Sequence, residues 1–167
     1  MKYEFVYGND REKEDGLIKD TSQFSCKGDG SYNYYSFNQQ FEISFRSINP
    51  YGWPQLVITC CTVDGEGNEV VKGYGCIHVP SSIGRHERKV HIFSSTTDQS
   101  FWGKLCGMMK GKTNEVANTP KVISSGEGRE ISRAICEGWI KVVFQVSFRD
   151  MDKFGYITQE MIRDFNA

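Results

Sequence analysis

Two stretches of the sequence come close to known chemical motifs, and both fail on spacing. Cys106-Gly-Met-Met-Lys-Gly-Lys-Thr113 nearly spells a phosphate-binding loop. That loop needs a glycine, four residues and then Gly-Lys-Ser/Thr, with a strand before it and a helix after it, so that backbone amides converge on phosphate. Here Cys106 takes the first glycine's place, Gly107 stands one residue too close, and the helical pattern comes first. Asp150-Met-Asp-Lys-Phe-Gly-Tyr-Ile157 begins like a calcium-binding loop, but Phe154 and Met161 occupy ligand positions. Losing those oxygens removes most of the charge that holds the ion. Asp64 and Glu66 in one turn, with Asp150 and Asp152 in another, are the remaining carboxylates of interest, and we expect no functional calcium site from them.

The six cysteines lie at 26, 60, 61, 76, 106 and 136 without a Cys-x-x-Cys pair. Cys60 and Cys61 are strand neighbours and point to opposite faces. Cys76 and His78 share a strand face, but no second ligand pair stands at zinc-finger spacing. The thiols therefore read as buried and reduced. None of the three histidines stands in a recognisable arrangement with a serine or cysteine nucleophile. We expect no catalytic residue, no metal and no cofactor, and the chain does not read as an enzyme. Gly126-Glu-Gly128-Arg129-Glu130 lacks the third glycine of a dinucleotide fingerprint and reads as a tight loop with a structural Arg129. Arg85, His86, Arg88 and Lys89, following Gly84, form the one compact basic cluster. It reads either as a solvated turn or as a contact to an acidic partner or lipid head group.

The elements that carry these residues are mostly strands. Tyr3 to Tyr7 reads as a short strand. Phe41, Ile43 and Phe45 alternate with polar residues, the period of a half-buried strand. Residues 56–61 are apolar on both faces and suit a central strand, and Asp64 to Asn68 is a turn. Val70 to Val79 returns, with Gly73 and Gly75 flanking Tyr74 and leaving one face bare for close packing, and Pro80 stops it. Lys89 to Phe93 adds a strand, and Ile140 to Phe148 alternates most cleanly of all. Residues 8–36 are polar and long for a connection, which predicts a mobile insertion, with the tyrosines at its end packing on the rim of the sheet. Phe101, Trp102, Leu105, Met108 and Met109 fall at helical spacing, predicting one short helix near 98–110. That helix either leans on an open side of the sandwich or docks on a partner or membrane.

Asn49-Pro50-Tyr51-Gly52-Trp53-Pro54 sits between two strands. Each proline fixes φ and pushes the residue before it toward extended backbone, so the stretch is a stiff corner pinned by two aromatics. The whole is an all-β chain, an antiparallel β-sandwich of about eight strands. At 167 residues a single domain is expected, and 20 basic against 21 acidic residues give no reason to expect nucleic acid. The opening residues carry an acid where a signal peptide would be apolar, so the chain reads as soluble and cytosolic.

With these residues assembled, the sequence resembles the B9 domain family. The matching stretches are Ser47 to Gln55, Val71 to Gly75 with His78 to Pro80, Gly84 to His86, Pro120 to Val122, Gly126 to Glu130 and Phe148 to Tyr156. The resemblance implies a C2-domain-like sandwich over residues 1–156, with 157–167 as a polar tail. It also implies a non-catalytic scaffold subunit of a complex at the ciliary transition zone, on the cytoplasmic face near the basal body. Partners implied are other B9-domain proteins and transition-zone membrane proteins, in an assembly that supports ciliogenesis and the membrane-protein diffusion barrier. Family members usually carry one more strand ahead of the point where this sequence starts; its absence would open an edge to a partner. Arg85, His86, Arg88, Lys89, Phe101 and Trp102 are the expected contacts to a partner or to lipid. The alternative is a peripheral membrane module that binds anionic lipid through the basic cluster with Lys104, Lys110 and Lys112.

Overall fold

The structure, a computed structural model, describes residues 1–9, 11–28, 34–47, 51–96, 133–150 and 153. Those residues form eight strands and no α-helix: β1 (Lys2–Val6), β2 (Arg11–Gly16), β3 (Lys19–Thr21), β4 (Ile43–Ser47), β5 (Gln55–Val63), β6 (Glu69–His78), β7 (Gly84–Thr96) and β8 (Arg133–Val146). All pairings are antiparallel. Six strands follow the order β3-β1-β5-β6-β7-β8, and β2 pairs with β4 separately. This is the all-β antiparallel sandwich that the alternating patterns require. No helix among the described residues is long and apolar enough to cross a membrane.

The larger sheet cannot be flat. β1 and β8 stand four strand steps apart, about 19 Å in an untwisted sheet. Yet the ring of Phe41 lies 5.5 Å from both Tyr3 and Phe5 of β1 and 6.1 Å from Phe144 of β8. The sheet therefore curls until its ends share one core. Tyr3, Phe5, Leu56, Ile58, Val90, Ile92, Val142, Phe144 and Val146 form that core, and Phe41, Ile43 and Phe45 cover it from the β4 side. Each such side chain taken from water contributes about 1.5–3 kcal/mol.

β6 and β7 approach closely but pair briefly. Among the described residues these strands are in register only at Tyr74 and Phe93. Beside that point β6 presents Gly73 and Gly75, and a Cβ on Gly75 would lie 2.7 Å from Ile92 Cδ1 and 2.8 Å from Val90 Cγ1. The bare face predicted from the two glycines is thus filled by β7 side chains. Tyr74 points the other way and packs with Val57 in a second small cluster.

Two readings are corrected. The polar stretch 8–36, expected as a mobile insertion, supplies β2 and β3. Its strands show no apolar alternation because β3 is a sheet edge, exposed throughout, and β2 exposes its middle residues. Tyr34 and Tyr35, expected to pack on the rim, are 58 % and 56 % exposed. The basic run 84–89, one reading of which was a turn, is the first half of β7, paired to β8 from Gly84 to Val146 onward. The predicted helix near 98–110 with Phe101 and Trp102 lies outside the described residues, as do Asn49, Pro50, Gly126, Gly128, Arg129 and the 157–167 tail.

Candidate functional site

The corner before β5 is a packing hub. Gly52 has φ +66°, a left-handed conformation that favours glycine. Its neighbour across the gap is Gly8, whose amide donates to the Gly52 carbonyl at 3.1 Å. Trp53 Nε1 donates to the Val79 carbonyl at 2.6 Å. The Arg11 guanidinium lies 4.6 Å from the Trp53 ring centroid, and Phe148 meets that ring edge-on at 6.0 Å. Pro54 is buried, and its carbonyl accepts the Val79 amide at 3.0 Å. Pro80, half-buried, follows directly as β6 ends. Tyr51, by contrast, is 81 % exposed. The corner residues that are described serve the fold, apart from this outward tyrosine.

The acidic turns lie at opposite ends of the molecule. Asp64 follows β5, and its side chain accepts from the Glu66 and Asn68 amides at 2.9 and 2.8 Å. The Asn68 amide, chief among these donors, holds the Asp64 carboxyl below the usual aspartate range. Asp150 comes two residues after Phe148, which packs on Trp53 at the start of β5. The length of β5, Gln55–Val63, therefore separates the two turns by about 30 Å. Asp150 is engaged by Lys153 at 2.6 Å, and that contact lowers its pKa. Asp64 and Glu66 therefore do not converge with Asp150, and Asp152 lies outside the described residues.

The cysteines are less buried than expected. Among the described residues Cys26 and Cys136 are exposed and Cys60, Cys61 and Cys76 half-buried, all as free thiols. Burial first, with Glu69 second, pushes the Cys61 thiol up to about 11, which keeps it protonated and unreactive. Cys136 Sγ lies 3.9 Å from His91 Nδ1 on the surface.

The basic cluster is divided by the alternation of β7. Arg85, Glu87, Lys89 and His91 face outward, while His86 and Arg88 fall on the other side. His86 Nε2 donates to the Ser82 carbonyl at 2.9 Å, inside the turn that leads from β6 to β7. Gly84 opens β7 with φ +115°. The outward row gains neighbours that the sequence did not advertise, because the register sets Gln145, Val143, Lys141 and Trp139 opposite it. Glu87 bonds Arg85 at 2.8 Å and Lys141 at 2.8 Å. Lys89 Nζ sits 4.6 Å from the Trp139 ring centroid. Trp139 is 55 % and Val143 42 % exposed. The result is a cationic, partly apolar face on the β7–β8 pair. Among the described residues no group of three or more histidine, cysteine or acidic side chains gathers to hold a metal ion.

Comparison with known proteins follows the same outline. Residues 1–147, which span all eight strands, match the family described as "Ciliary basal body-associated, B9 protein". The chain is 41 % identical over 160 residues to B9 domain-containing protein 1 of Xenopus laevis, covering 94 % of this chain and 78 % of that one. It is 40 % identical over 160 residues to the Mus musculus protein of that name (94 % and 76 % covered). Against the Homo sapiens protein it is 39 % identical over 157 residues, again 94 % and 76 %. No solved structure matches the chain.

Proposed function

Since the chain belongs to the B9 family of ciliary basal body-associated proteins, we propose that it is a scaffold subunit of the ciliary transition zone. It works there, at the cytoplasmic face of the membrane, by protein–protein contact with other B9-domain proteins and with transition-zone membrane proteins. The assembly supports ciliogenesis and the barrier that restricts membrane proteins from entering the cilium. The family is non-enzymatic, and the function lies in surfaces.

The observation that carries this reading is the extent of the match, which takes in every described strand together with the Trp53 corner. An accessible surface on a rigid sandwich is what a scaffold needs. The test is co-purification of this chain with two other B9-domain proteins, with light scattering to give stoichiometry. A stoichiometric complex is expected. A lone monomer, in the presence of partners shown to be folded, would overturn the reading.

A further inference from the structure

We infer that the outward face of the β7–β8 ribbon is a docking site for an acidic, extended segment of a partner protein. The inference rests on the scaffold reading and names the surface and partner chemistry that it leaves open.

The face is built from Arg85, Glu87, Lys89 and His91 on β7 and Trp139, Lys141, Val143 and Gln145 on β8. Three side chains are cationic and one is acidic. The acid is already neutralised, because Glu87 is held between Arg85 and Lys141, so the face presents a surplus of positive charge to whatever approaches. Arg85 and Lys141 remain 66 % and 53 % exposed, so both can still receive an anion. Arg85 to His91 spans six steps of strand, about 20 Å, the length of an extended segment of about seven residues. Carboxylates of such a segment complement the cations, and its apolar side chains cover the exposed parts of Trp139 and Val143.

The geometry favours a protein segment over a bilayer. Trp139 is capped by Lys89, whose ammonium over the ring would have to be desolvated before the indole could enter lipid. Glu87 interrupts the cations of the row, and a polypeptide can place a neutral residue over that position.

The test uses the full chain and a fluorescent peptide of alternating glutamate with leucine and phenylalanine. Its glutamine counterpart and vesicles of phosphatidylcholine with phosphatidylserine serve as competitors. The acidic peptide should bind, more weakly as salt is raised. Lys89→Gln with Lys141→Gln should weaken it about tenfold, the sum of two exposed charge contacts. Lys19→Gln, on β3 at the opposite edge of the strand order, should leave it unchanged, and Trp139→Ser should weaken it without altering the salt dependence. Equal binding of the glutamine peptide, or of the doubly substituted chain, overturns the proposal. So does displacement by the vesicles, which would assign the face to a membrane. If the doubly substituted chain loses the peptide yet still assembles with B9-domain proteins, the site stands and serves another partner. If the unsubstituted chain binds the peptide but joins no B9 complex, it is the scaffold reading that fails.

Discussion

Lys89 and Lys141 stand directly opposite one another in the register of β7 and β8, and each turns away from the other. Lys141 reaches diagonally to Glu87 at 2.8 Å, while Lys89 leans over Trp139 at 4.6 Å. Like charges placed face to face destabilise a sheet, and the two side chains escape that cost by taking different partners.

The Glu87 carboxyl reports the arrangement. The Lys141 hydrogen bond, followed by its charge, holds Glu87 below the ordinary 4.5. A group depressed in this way contributes stability at neutral pH and loses it as pH falls through its folded value. Carboxyl NMR titration should find Glu87 below 4.5 in the native chain and displaced upward in Lys141→Gln. An unmoved titration would mean that the pair does not form in solution. Because the pair is exposed and screened by solvent, global stability should change little.

Gly52→Ala should be far more damaging. A Cβ there would lie 2.7 Å from Gly8 Cα, on a backbone with φ +66°. Left-handed strain of about 1–2 kcal/mol adds to an overlap of about 1–3 kcal/mol. Urea unfolding should show a loss of roughly 2–5 kcal/mol, whereas Gly65→Ala, with open space around it, should cost little.

Trp53→Phe keeps an aromatic ring but removes the donor to the Val79 carbonyl. The expected loss is about 1–3 kcal/mol, from an unmet acceptor and a weaker seat for Arg11. An unchanged denaturation midpoint would show that water replaces the indole at no cost.

Gly75→Ala should destabilise by about 1–3 kcal/mol, since its methyl meets Ile92 Cδ1, Val90 Cγ1 and the His91 carbonyl within 2.9 Å. Adding Ile92→Val removes the first of these atoms and should restore part of the loss. A double-mutant cycle with no coupling would contradict the close approach of β7 to β6.

Asp64 gives a second pH signature. Its carboxyl is lowered from 3.8 chiefly by the Asn68 amide, so its contribution is complete above 3.8 and disappears as pH drops through the folded value. Asp64→Ala should therefore narrow its stability gap to the native chain as acid is added. A gap that stays constant with pH would show that the carboxylate's charge has no part in the turn.

The strands with one buried face were legible in the sequence, because burial imposes a period that residue types reveal. Ile140, Val142, Phe144 and Val146 alternate in the sequence and line the core in the structure. The glycines of β6 were readable for the same reason, as absences in an apolar row. β2 was not, since Glu12 to Asp15 are exposed and no pattern constrains them. The docking face was half visible. Arg85 and Lys89 are neighbours in sequence, but Trp139, Lys141 and Val143 join them only through a register that no local pattern encodes.

Trp53 receives Arg11 from β2, Val79 from the end of β6 and Phe148 from beyond β8. Its last neighbour is thus synthesised long after its first. On the ribosome the indole must wait, with one edge bare, until the ribbon has emerged and closed over the core. The domain therefore closes late in its own synthesis, and a nascent chain stalled before residue 133 lacks the strand that completes it.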